Sequence, residues 1–201
     1  MNIKAIVTPL EQTEHGFKHI IAAGDELLKQ PHTQVFRLAQ QLLQHSSYQA
    51  RMLATHLLGS LSVENKEAFQ ILHNTVAKDD NWRVQEMLAK AFDHYCSTKG
   101  YGVSLPVIKN WLKNRNPNVV RAVIEGLRIW TSRPYFKEHP EVAVQLISAH
   151  HADDSEYVRK SVGNALRDIS RKHPDLIKQE IAKWNTENSN VAFTAKLAIK
   201  A

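Results

Sequence analysis

The chain has 201 residues, 43% hydrophobic and 23% charged, enough for one sizeable core, and is read as a single domain over residues 1–201. Seven Gly and seven Pro are about 7% of the chain, against roughly 12% in average usage, too few turn formers for a β-sandwich or barrel. Without a run of eighteen apolar residues or an apolar segment in the opening MNIKAIVTPLEQTE, the sequence predicts no membrane span and no signal peptide, hence a soluble, cytosolic protein.

Lys plus Arg number 26 and Asp plus Glu 20, a formal charge of +6. That suits a polyanionic partner only if the basic residues share one face. Cys96 is the one cysteine, which excludes an internal disulfide and reads as a small core residue.

Apolar residues recur at helical spacing nearly throughout, for example Val35, Leu38, Ala39, Leu42 and Leu43, and no comparable stretch alternates with period two. In chain order the predicted helices cover 15–30, 32–45, 47–60, 63–76, 80–97, 104–113, 118–130, 140–150, 156–171, 174–184 and 189–200. Gln30-Pro31, Asn116-Pro117, His139-Pro140 and His173-Pro174 punctuate them, since the residue before Pro is biased away from helix.

The second helices of successive pairs share one pattern, in SYQARMLATHLL, DNWRVQEMLAKAF, PNVVRAVIEGLR, SEYVRKSVGNALR and SNVAFTAKLAI. Their openers, Ser47, Asp80, Pro117, Ser155 and Ser189, are spaced by 33, 37, 38 and 34 residues. Such a period is that of helical-pair repeats of the HEAT type. The predicted fold is therefore all-α, an α-solenoid of HEAT-like pairs whose concave face is lined by the second helices. Four of the five copies carry a cation three or four residues past the opener: Arg51, Arg83, Arg121 and Arg159, the last followed by Lys160. Lys90, Arg128, Arg167 and Lys196 lie further along, and the seven-residue steps Arg83 to Lys90 and Arg121 to Arg128 keep each pair on one helix face. The expectation is a basic stripe along the groove, against the simpler alternative that each arginine is solvated or bridges helices to an acid.

Two stretches, NPNVVRAVIEGLRIWTSRPYF (116–136) and SEYVRKSVGNALRDISRKHPDLIKQEIAKW (155–184), resemble the HEAT-like-repeat DNA alkylation repair family of the AlkC and AlkD type. DDNWRVQEMLAKAFDHY (79–95) is similar to the family's preceding repeat, and residues 1–45 match only as generic helices. The resemblance implies a basic groove that holds duplex DNA and, in active members, a glycosylase excising N3- or N7-alkylated purines. It also implies that no metal or organic cofactor is needed. An alkylated purine is already cationic, so carboxylates near the sugar and aromatic faces near the base would stabilise its departure.

By the same resemblance, Trp82 and Glu86, four apart on one helix face, correspond to the tryptophan and carboxylate of one branch, with Glu in place of Asp. Asn164 stands where that branch has a second tryptophan. Glu125 and Asp168 look like the two carboxylates of the other branch, and Arg121 like a DNA-contacting arginine. Arg83, Arg128, Arg159 and Lys160 complete the expected DNA contacts, together with the loop TSRPYFKEH (131–139), where Arg133 and the preceding Trp130 combine cation and aromatic.

Each candidate also has a structural role to set beside this one. Trp82 fits an inter-repeat core position, Glu86 could pair with Lys90, Asp168 with Lys172, and Tyr135 and Phe136 could pack on the next helix. Glu125, in the otherwise apolar VVRAVIEGL, needs a groove or a partner such as Arg121 or Arg128. His150-His151 with Asp153-Asp154 is a poor metal cluster because neighbours on a helix diverge, and no phosphate loop or nucleophile elbow occurs. The partner expected is thus duplex DNA with alkylated bases, bound by a monomer. The competing reading is a non-catalytic helical-repeat adaptor that binds DNA or protein.

Overall fold

The computed structural model describes residues 2–199. Those residues contain twelve α-helices, one 3₁₀ turn and no strand. They run α1 (Ile3–Glu11), α2 (Lys18–Leu27), α3 (His32–Leu43), α4 (Tyr48–Leu61), α5 (Lys66–Asn74), α6 (Trp82–Lys99), α7 (Leu105–Leu112), α8 (Pro117–Trp130), α9 (Pro140–Ser148), α10 (Glu156–Ser170), α11 (Pro174–Ile181) and α12 (Ser189–Ala198). None of these helices is long and apolar enough to cross a membrane. The predicted eleven helices correspond to α2 through α12 with ends shifted by a few residues, and residue 200 of the last lies outside the described range.

The helix starts follow from short polar side chains and prolines. Asn65, Asn116, Ser155 and Asn188 cap α5, α8, α10 and α12 by accepting from backbone N–H groups of the first turn. Pro117, Pro140 and Pro174 open α8, α9 and α11, where the missing N–H costs nothing. The prolines that read as breakers are therefore initiators. The helix that periodicity did not predict is α1. Asn2 caps it, Val7 and Leu10 are buried, and Pro9 sits in its last turn.

The chain forms two compact units, 1–99 and 100–201. In the first, α4 is the central helix, packed by α1, α2, α3, α5 and α6. It is apolar on nearly every side, as a helix without a solvent face must be, and Met52, Leu53, Leu57 and Leu58 are sealed from solvent. Burying each of these side chains stabilises the unit by about 1.5–3 kcal/mol. In the second unit α10 packs against α8, α9, α11 and α12. Val158, Val162, Leu166 and Ile169 of α10 are buried, as are Val123, Ile124 and Leu127 of α8, against which α10 packs. The spacing 158, 162, 166 and 169 is the 3.6-residue period seen in the sequence.

Candidate functional site

In the first unit, Trp82 is the first residue of α6 and is 56% exposed. An indole left half in water forgoes burial that a core position would provide, so the inter-repeat packing role does not hold for it. Arg83 lies against it. The guanidinium carbon is 4.6 Å from the Trp82 ring centroid and 5.0 Å from that of Tyr48, the first residue of α4. Its Nη2 is 2.9 Å from the His15 Nδ1, and the Tyr48 hydroxyl donates to the Glu14 carbonyl at 2.5 Å. Arg83 is thus a half-buried cation held between two aromatic rings. Trp82, Glu86 and Lys90 follow at four-residue intervals on one face, with Glu86 half-buried and the Lys90 ammonium 5.5 Å from the Phe17 ring centroid.

In the second unit, Glu125 of α8 has both carboxylate oxygens engaged. Oε1 accepts from the Ser161 hydroxyl of α10 at 2.8 Å and lies 3.9 Å from Arg121 Nη2. Oε2 lies 3.2 Å from Arg128 Nη1. The same Arg128 nitrogen is 3.5 Å from Asp168 Oδ2, and Arg171 Nη2 is 3.8 Å from Asp168 Oδ1. The partner for Asp168 is therefore Arg128 and not Lys172, whose ammonium donates to Ser132 at 2.9 Å. Arg121 also stacks on Tyr157, 5.1 Å from the ring centroid, and Tyr157 is 42% exposed. Three arginines around two carboxylates leave the cluster with a net positive charge, which favours phosphate over a cationic ligand.

Three expected DNA contacts take other roles. Trp130 is fully buried, stacked on Phe136 with centroids 5.7 Å apart and tilted against Tyr101 at 4.9 Å, so its ring is core and not a ligand face. The loop packs as the simpler alternative holds: Phe136 is buried with it, and Arg133 Nη1 donates to the Tyr101 hydroxyl at 2.6 Å. Arg159 is only 9% exposed, and its Nη1 donates to the carbonyls of Asp153 and Asp154 at 2.5 and 2.9 Å. Arg51 does the same to His45 and Ser46, at 3.2 and 2.8 Å, and pairs with Asp79. Two members of the recurring arginine series therefore tie down the loop before their helix. Lys160 is exposed and pairs with Glu156 at 2.7 Å, which holds the Glu156 carboxyl below its ordinary range. His151 stacks on Trp184 at 4.6 Å. The sequence reading missed Ser161, Arg171, Tyr48 and Tyr157, because Ser161 sits in a small-residue stripe that reads as packing.

The DNA alkylation repair enzyme model matches residues 17–201. The chain belongs to that family. It is similar to AlkD2 from Streptococcus mutans, at 47% identity over 99% of this chain and 98% of that one, with a TM-score of 0.93. The alkylpurine DNA glycosylase AlkC from Pseudomonas fluorescens, solved bound to DNA containing an abasic site analog, matches 98% of this chain and 54% of its own at 23% identity and a TM-score of 0.70. At that identity the likeness to AlkC is one of fold. YhaZ of Bacillus subtilis, an uncharacterised protein, is 37% identical over 94 residues, 45% of this chain, which spans about a quarter (26%) of that curated relative's length. The fold class is that of the HEAT-like solenoids of this family.

Proposed function

We propose that this protein, with residues 1–201 acting as one DNA-binding domain, binds duplex DNA carrying alkylated bases, as a cytoplasmic monomer. The observation that carries the reading is the half-exposed Trp82 with Arg83 stacked between it and Tyr48. An aromatic face beside a fixed guanidinium suits a nucleic acid, whose bases stack and whose phosphates pair with arginine. Arg121, Arg128, Arg171 and Lys160 would meet phosphates in the second unit.

Excision of an N3- or N7-alkylated purine is the reaction such a site would carry. Either Glu86, beside Trp82 in the first unit, or Glu125 and Asp168 in the second would stabilise the oxocarbenium-like sugar, without a cofactor. A second reading, binding without excision, is favoured by one observation. Glu125 is already engaged by Ser161 and Arg128, and Asp168 by Arg128 and Arg171, so neither carboxylate offers an uncompensated negative charge. Of the two, this geometry fits the second better.

Incubation with methylated duplex DNA, followed by chromatography of the freed bases, separates them. Release by the native chain, lost in the folded Glu125→Gln/Asp168→Asn double variant, establishes excision. Retained binding with no base freed establishes the second reading, and no binding at all removes both.

A further inference from the structure

Two turns beyond Trp82, α6 borders a cleft of about 160 Å³ whose other walls are α2 and α4. At about 30 Å³ per water it holds roughly five, well below the 300 Å³ at which drug-sized pockets begin. His56 and Ser60 of α4 and Lys90 and His94 of α6 line it, each four residues from its neighbour on the same helix. Ser60 and Lys90 present O–H and N–H donors, and His56 and His94 each present a ring nitrogen that donates or accepts according to its tautomer.

The cleft is shaped by two glycines. A Cβ on Gly24 of α2 would come within 2.2 Å of the His56 ring, so the imidazole lies against bare backbone and is held there. A Cβ on Gly59 would stand 2.6 Å from the Ala91 Cβ, so α4 and α6 can approach closely enough for their donors to converge. Asp25 fixes the ring from the rim, 3.0 Å from Nε2, with its carboxylate 63% exposed. Lys90 is steadied over Phe17 at the mouth. The last carbonyls of α4 would repel an anion, but Leu58 and Leu61 are bonded by backbone N–H groups and Gly59 by the Ser62 hydroxyl.

We propose that His56, Ser60, Lys90 and His94 form a phosphate-binding cleft and, resting on the DNA-binding reading above, that its occupant is a phosphate of the strand that passes Trp82. Volume, donor chemistry and the shared α6 ridge all agree with that occupant. A phosphate carries acceptor oxygens and no other large group that the cleft would have to admit.

The test uses the full chain and two readouts. In the first, duplex binding is followed from 50 to 200 mM salt for the native protein and for the Lys90→Gln/His94→Gln variant, both side chains being exposed. Loss of one phosphate contact makes the variant's affinity fall ~3.5-fold less over this range, on any sequence. In the second, inorganic phosphate is added to the native protein and the His56 ring resonances are followed by NMR. A reduced salt dependence supports the strand phosphate as occupant. Shifted His56 resonances without DNA binding, or with an unaltered salt dependence, leave a cleft for free phosphate and remove the strand from it. An unaltered salt dependence together with unmoved His56 resonances overturns the proposal.

Discussion

Arg51 and Arg159 make the same contact in different units: each guanidinium Nη1 donates to the carbonyls six and five residues before it. The contact closes the loop leading into α4 and into α10, and it satisfies carbonyls that no helix ladder reaches. Arg159→Met is expected to lower stability by about 3 kcal/mol, since two charge-assisted hydrogen bonds are lost and two carbonyls are left unpaired. Arg159→Lys should recover part of it, because one nitrogen makes both bonds and an ammonium has N–H groups enough to do the same. Urea unfolding at neutral pH measures both, and a loss below about 0.5 kcal/mol would show the loop to be held by other contacts.

Trp82 and Trp130 separate binding from packing. Trp130→Ala empties a sealed core site and is expected to cost about 3–5 kcal/mol, as large aromatic deletions do. Trp82→Ala should change stability by no more than about 0.5 kcal/mol while weakening DNA binding, by about 1–3 kcal/mol if a base stacks on it. Denaturation and fluorescence anisotropy on the same two proteins make the comparison. Equal binding losses after correction for unfolding would remove the special place given to Trp82.

Ser161 and Glu125 should be energetically coupled across α8 and α10. Their hydrogen bond is 2.8 Å long, with Ser161 only 5% exposed. A double-mutant cycle of Ser161→Ala and Glu125→Gln is expected to give a coupling of about 1 kcal/mol. A value near zero would mean that Arg121 and Arg128 hold the carboxylate without Ser161.

Much of this was legible in the sequence. The period of about 35 residues follows from the openers at Ser47, Asp80, Pro117, Ser155 and Ser189, and the apolar stripes of α8 and α10 are plain because each has one buried face. Glu125 could be singled out because a carboxylate among valines needs a partner, and Arg128 is one. What the sequence hides is which way a recurring arginine turns. Arg83 reaches aromatic rings and Arg159 reaches carbonyls from the same slot, and that choice depends on the loop before each helix. Trp82 and Trp130 show the same limit, since exposure depends on neighbours distant in sequence.

Tyr95 gives a dependence on alkaline pH. Burial, and then the neighbouring Cys96, push its phenol above the ordinary value of 10.0. The folded state therefore favours the protonated form. The associated stability is intact below about pH 10 and is lost as pH rises through the folded-state pKa. Absorbance at the phenolate band should show one tyrosine ionising later than the rest, and Tyr95→Phe should remove that late step. An unchanged titration in the variant would assign the step to another tyrosine.

The most direct test of the account is the affinity of the intact chain for a fluorescent duplex as salt is raised from low to physiological concentration. A protein that meets the strand through three or more phosphates gives a slope of log affinity against log salt of about −3 or steeper. Binding that is absent at low salt, or indifferent to salt, would contradict it and leave the solenoid as a scaffold for some other partner.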